Sequence, residues 1–226
     1  MATLLLRLAA PLQAWGVESK FEIRNTCREP TKSGVVGLLA AALGRRRNEP
    51  LDDLNALRFG VRVDQPGKLL KDFHIARKDD KVSYVTTRYY LSDAVFLVGL
   101  ESGDEGFLKS LETALRNPRF PLFLGRRSCP PTLPICLGIR DANLMEALSI
   151  EPWLAPVWRQ KKLSHRLWLC ADCRQEEKNA ARQRDFALSF DPIRRRYGYR
   201  SLSSYGIMDI GSNSYSTTHD PVSELR

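Results

Sequence analysis

The chain has 226 residues, 43% of them hydrophobic, which supplies a sizeable core and excludes wholesale disorder. Its 35 Lys and Arg against 26 Asp and Glu leave a formal charge of +9, which favours a polyanionic partner, nucleic acid ahead of a membrane surface. The five cysteines are odd in number and expected as reduced thiols in a cytoplasmic protein, and the opening apolar stretch, broken by Arg7, is far shorter than the ~20 residues of a membrane span.

TLLLRLAAPLQAWG (3–16) reads as a buried strand stopped by Pro11. VVGLLAAALGRRR (35–47) has the continuous apolar character of a buried helix, with Thr31 or Ser33 able to cap its start and Gly44 its end. LNALRFGVRVD (54–64) passes from a short helix into a strand with Phe59, Val61 and Val63 on one face. KLLKDFHIARKDDKVSYVTTRYYL (68–91) predicts a hairpin turning at the charged residues 78–81. DAVFLVGL (93–100) is the clearest strand, and GDEGFLKSLETALRNP (103–118) an amphipathic helix presenting Phe107, Leu108, Leu111 and Leu115. PRFPLFLGRRSCPPTLPICLG (118–138), rich in Pro and Gly but studded with large apolar residues, predicts an ordered, packed loop. IRDANLMEAL gives a short helix and LSHRLWLC a strand. From about residue 174 the periodicity fades, so 174–226 is expected to be weakly defined and mobile from Met208 onward. The order is that of a single α+β body, and one further strand completes a split βαβ, ferredoxin-like sheet.

Thr31-Lys32-Ser33-Gly34 superficially resembles a phosphate-binding loop. A P-loop requires glycines before its Lys, and Cys27-Arg28-Glu29-Pro30-Thr31 contains none, so ATP is excluded on this motif. The remaining reading is a helix start whose free N–H groups and dipole, with Arg28 and Lys32 beside them, cap the helix and face a polyanion. Cys170-Ala-Asp-Cys173 has redox or zinc spacing but no second ligand pair. Of the three histidines, His74 is the best placed for acid–base work, with Lys71, Arg77 and Tyr84, Tyr89 or Tyr90 near, although a stacking or hydrogen-bonding histidine is the more common case. Arg45–Arg47 and Arg194–Arg196 read as solvated clusters. Gly125-Arg126-Arg127-Ser128 lies in a proline-fixed loop where arginine forks suit phosphates. Trp15, Phe73, Tyr84, Tyr89 and Tyr90 are candidate stacking surfaces for unpaired bases, one or two of which are expected to serve.

The blocks APLQAWG, RNTCREPTKSGVVGLLAAALG, DFH, RYYLSDAVFLVGL and PRFPLFLGRRSCP, in that order, resemble the Cas-five family of the RAMP superfamily, found in type I-E CRISPR Cascade. The resemblance runs to about Gly138; the C-terminal third matches poorly. It implies a ferredoxin-like, RRM/RAMP-type antiparallel sheet with helices on one face and a protruding β-hairpin thumb, placed at about 75–87. At ~3.3 Å per residue such a thumb projects ~15–20 Å, enough to contact one kinked nucleotide. The resemblance further implies a subunit that binds and caps the crRNA 5′ handle, packs against the backbone and large subunits, and meets target DNA through the complex. Neither a membrane, a homo-oligomer, a cofactor nor a metal is expected. The family's motif positions fall on Gly16, Pro30, Leu91 and Asp93 among others. Those with RNA-contacting chemistry are Gln13, Trp15, Arg24, Thr31, Lys32, Ser33, Gly34, His74, Arg88, Arg126, Arg127 and Ser128. With Arg28, these form the expected RNA site: Arg126, Arg127, Lys32 and the helix start on phosphates; Gln13, Arg24 and His74 on bases or 2′-hydroxyls. Type I-E members look non-catalytic, while the related type I-C subunit cuts RNA. A metal-independent endoribonuclease using His74 with a Tyr and a Lys is therefore the alternative.

Overall fold

The computed structural model describes residues 1–16, 22–77, 83–163, 165–174 and 180–209, with side chains to 204 in the last segment. The elements are β1 (Ala2–Ala9), β2 (Leu12–Gln13), β3 (Ile23–Arg24), α1 (Lys32–Leu43), α2 (Asp52–Ala56), β4 (Arg58–Gln65), β5 (Lys68–Arg77), β6 (Ser83–Ser92), β7 (Val95–Ser102), α3 (Glu105–Arg116), β8 (Cys136–Arg140), α4 (Leu144–Ile150), α5 (Val157–Gln160), β9 (Arg166–Asp172), β10 (Ala181–Ser189) and β11 (Arg196–Asp209). Seven strands form an antiparallel sheet in the order β10-β11-β9-β4-β7-β1-β8. A second sheet is built on β6, which pairs with β5 along one edge and with β2 and β3 along the other. The fold is mostly antiparallel sheet with few helices, α+β.

The central strands are apolar on both faces, and each face needs its own cover. Leu4, Leu6 and Leu8 of β1 meet Phe96, Val98 and Leu100 of β7 beneath α1 and α3, whose Val35, Leu39, Leu108 and Leu111 are fully buried. Each such side chain contributes roughly 1.5–3 kcal/mol on burial. The expectation of helices on one face is corrected here. Leu5, Leu97 and Leu169 point the other way, and α4 seals them with Leu144, Ala147 and Leu148. Behind α4, the buried Arg62 guanidinium pairs with Asp64 at 2.7 Å and donates to the carbonyls of Leu148, Glu151 and Pro152.

Local signals explain the helix ends. Thr31 accepts from the Gly34 amide to start α1, and Gly44, at φ +80°, ends it in the left-handed region. Asp104 and Asn143 cap α3 and α4 in the same way. The hairpin expected over 68–91 is present: β5 and β6 pair from Lys68↔Ser92 to Arg77↔Ser83, and the expected turn residues 78–81 lie outside the described residues. The described part of the C-terminal third is not weakly defined. β10 and β11 pair with each other and join the main sheet through β9, with strand order continuing to Asp209; the rest of the expected mobile tail lies outside the described residues.

Candidate nucleic-acid interface

Much of the expected RNA site turns out to hold the fold together. Gln13 is fully buried; its Nε2 donates to the carbonyls of Leu8 (3.2 Å) and Ala94 (2.8 Å), and its Oε1 accepts from Trp15 Nε1 at 3.1 Å. Trp15 is 1% exposed. It presses so closely on the start of α1 that a Cβ on Gly34 would stand 2.8 Å from its Cε3. Gln13, Trp15 and Gly34 therefore pin the first strand to the first helix, and no face of Gln13 is left to read a base.

The start of α1 is also occupied. Thr31, Lys32 and Ser33 are all buried. The Lys32 amide donates to Asp185 Oδ2 at 2.8 Å, and Lys32 Nζ reaches Asp172 Oδ2 at 2.8 Å. Arg200 joins the two acids, donating from Nη1 to Asp172 and from Nε to Asp185, each at 2.6 Å. A carboxylate of the protein's own sits where a phosphate was expected, placed there by the same amide and dipole that attract anions. The reading of Thr31, Lys32 and Ser33 as a polyanion grip is corrected accordingly. Sequence reasoning missed Asp172, Asp185 and Arg200.

What the structure does bring together on the surface is a basic ledge at the root of the hairpin. β3 runs parallel to β6 with Arg24 beside Arg88, and β5 sets Asp72 on the other side of Arg88. Residues directly across share a face, and so do those two along each strand, which adds His74 to the row. His74 Nε2 lies 2.9 Å from Asp72 Oδ2, close but not aligned as a hydrogen bond. Arg88 Nε is buried and has no hydrogen-bond partner among the described residues.

The loop at 124–129 closes over this root. Leu124 is buried beneath it, and its carbonyl accepts from the Ala14 amide at 3.1 Å. Gly125, at φ +84°, passes so near Ala14 that a Cβ would fall 1.6 Å from the Ala14 carbonyl oxygen; only glycine fits. Arg126 lies over the Tyr90 ring, 4.5 Å from its centroid, and donates to the carbonyls of Tyr89 (3.0 Å) and Arg24 (2.8 Å). Its terminal nitrogens thus strap the loop to β6 and β3, which corrects its reading as a phosphate fork. Arg127 and Ser128 are exposed, as are Arg24 and Arg28.

Of the five candidate stacking aromatics, Trp15 and Tyr90 are buried, Tyr89 is half-buried, and Phe73 and Tyr84 are exposed at 69% and 50%. Phe73 shares its hairpin face with Ile23, Ile75 and Val85, all exposed. That side of the hairpin thus carries an exposed apolar patch, with Lys71 and Arg77 on the same face, and the other side carries the row of Arg24, Arg88, Asp72 and His74. His165 meets Trp153 edge-on at 5.4 Å, and His219 lies outside the described residues. Burial disfavours the thiolate at Cys27, Cys129, Cys136 and Cys170. Burial, aided by Asp185 and Glu29, pushes Cys27 up to about 11. Burial likewise raises Cys170, which donates to Glu29 at 3.0 Å.

A family model described as CRISPR-associated protein (Cas_Cas5) matches residues 3–203. The chain belongs to this family. Among curated proteins, this Cas_Cas5 chain is 39% identical to the CRISPR system Cascade subunit CasD of Escherichia coli (strain K12), over 162 residues that make up 62% of this chain and 72% of the relative. Among solved structures, it is 44% identical to one described as a crystal structure of a Cas protein, covering 92% of this chain and 95% of the other with a TM-score of 0.71. A second, described as a CRISPR RNA-guided surveillance complex, is 33% identical with a TM-score of 0.75, covering 91% of this chain and 90% of that one.

Proposed function

We propose that this Cas_Cas5 protein is a non-catalytic subunit of a cytoplasmic, type I-E Cascade-like surveillance complex, where it binds and caps the 5′ handle of crRNA. The observation that carries this reading is the ledge of Arg24 and Arg88 at the hairpin root, with Arg127 exposed on the loop that Arg126 straps to it and Arg28 exposed on the chain leading to α1. Phosphates of the handle rest on Arg24, Arg28 and Arg127, while His74 and Ser128 face sugars and base edges. The strand order β8-β1-β7-β4, with α1 and α3 on one face, supports a ferredoxin-like, RAMP-type core. The β5–β6 hairpin acts as the thumb. Ten residues at ~3.3 Å each give it a length of ~33 Å, so it separates handle from guide and lays its apolar face on the neighbouring backbone subunit. The large subunit and target DNA are met through the assembled complex.

The hairpin register supports the non-catalytic reading over the endoribonuclease. Lys71 and Tyr89 face each other one position out of phase with His74, on the opposite side of the hairpin, whereas Tyr84 and Tyr90 share its side, so it is the expected lysine that does not stand with His74. Two measurements test the proposal. Arg24→Ala and Arg127→Ala should each weaken handle RNA binding and lower the salt slope by about 1, leaving the fold intact. Repeat RNA incubated with the protein in EDTA should stay whole; specific cleavage abolished by His74→Ala would establish the enzyme instead.

A further inference from the structure

A cleft of about 470 Å³ opens below the ledge, where β1 ends, β6 turns into β7 and the chain passes through α5. It is at the small end of the range of about 300–1,000 Å³ typical of small-ligand sites. Its walls combine a flat aromatic, a cation and two acceptors. Trp158 is 60% exposed, and Arg159 lies over its ring at 5.1 Å. Asp93 adopts φ +56°, in the left-handed region that residues other than glycine seldom enter. The turn over-determines it: its amide donates to the Pro11 carbonyl at 3.1 Å, and its own carbonyl accepts from Gln65 Nε2. Such local strain clusters at ligand sites. A second observation is independent of it. Gln65 is 5% exposed, and its Oε1 has no hydrogen-bond partner among the described residues; the same holds for the buried Nε of Arg159. An acceptor and a donor thus stand unmet in the walls of one cleft.

We infer that this cleft holds a single unpaired nucleotide of the bound strand, its base against Trp158 and its phosphate on Arg159. The inference rests on the RNA-binding reading above and deepens it. A protein of charge +9 that offers a ring beside a guanidinium suits a stacked base with its phosphate. The carboxylate narrows the choice further. One Asp93 oxygen accepts from Ser92 Oγ at 3.2 Å, and Asp93 is exposed, so it selects a base with N–H donors on its Watson–Crick edge. Guanine presents two side by side. Asp93 lies five residues beyond Arg88 on the same strand-to-turn path, so a strand crossing the ledge runs into the cleft within ~17 Å.

The test uses the full-length chain and short single-stranded uridine oligomers carrying A, C, G or U at the centre, read by fluorescence anisotropy. The guanine-centred oligomer should bind tightest. Trp158→Ala should weaken it about 5- to 150-fold, the range set by loss of one stacking contact, while Trp158→Phe retains most of the affinity. Asp93→Asn, which tolerates the same backbone region, should keep the fold and erase the guanine preference. If the wild type binds every oligomer but Trp158→Ala and Arg159→Ala bind equally well, the cleft assignment falls and the RNA-binding reading stands. If the wild type binds none, the underlying reading falls with it. Guanosine monophosphate alone should bind weakly; occupancy with the affinity of the oligomer would assign the cleft to free nucleotides and overturn the inference.

Discussion

Replacing Asp185 by Ala isolates the disagreement between a helix start that grips RNA and one that is internally closed. The carboxylate is 1% exposed and accepts from the Lys32 amide and from two nitrogens of Arg200. Its removal leaves a buried amide without a partner, which costs about 1–3 kcal/mol. It also leaves Arg200, still paired with Asp172 at 2.6 Å, holding one acid instead of two. Breaking a buried pair from one side costs about 3–5 kcal/mol, so Asp185→Ala should lose about that much. For a chain of this size the loss lowers Tm by about 6–20 °C. Urea unfolding followed by circular dichroism gives the free energy, and Asp185→Asn, which keeps an acceptor but not the charge, should fall between. A loss below about 1 kcal/mol, or an Asp185→Ala protein that stays folded and binds handle RNA more tightly, would refute the reasoning and return the helix start to the RNA.

Gly125→Ala forces the Ala14 backbone to move, so it should unseat Arg127 and Ser128 and reduce handle RNA affinity at least as much as Arg127→Ala alone; equal binding would show the loop is not the contact. Trp15→Ala should cost about 3–5 kcal/mol, whereas Phe73→Ala, on the exposed hairpin face, should change stability by no more than about 0.5 kcal/mol, both read by urea unfolding. Because burial lifts Cys27 from 9.0 to about 11, the folded state holds its proton longer than the unfolded chain does. That contribution is complete below pH 9 and is lost as pH rises towards 11, so Cys27→Ala should flatten the alkaline fall in stability measured by denaturation at stepped pH.

Elements that obey local rules were legible in the sequence. Thr31 and Gly44 bracket α1, Phe59, Val61 and Val63 alternate along β4, and the hairpin is written in its β-formers. The C-terminal hairpin was not, because the inward positions of β10 and β11 carry Asp185 and Arg200, and a charged inner face erases the alternation that marks a strand. The second helical cover was foreshadowed by the consecutive apolar residues 4–6 of β1 and 95–98 of β7, which one buried face does not require. At the interface, sequence proximity misled in a particular way. Arg126 and Arg127 are neighbours with opposite fates, one turned onto carbonyls and one onto solvent, and only the fold of the loop separates them. Gln13 and Lys32 look like polar surface residues, yet each completes a buried hydrogen-bond set whose partners lie far along the chain.

The closure of α1 by Asp185 spans 153 positions. During synthesis α1 is made 153 positions before the group that quiets its amide. Contacts this distant delay folding and lengthen the time that sticky surfaces stay open. A growing chain of this kind keeps the start of α1 open until β10 arrives.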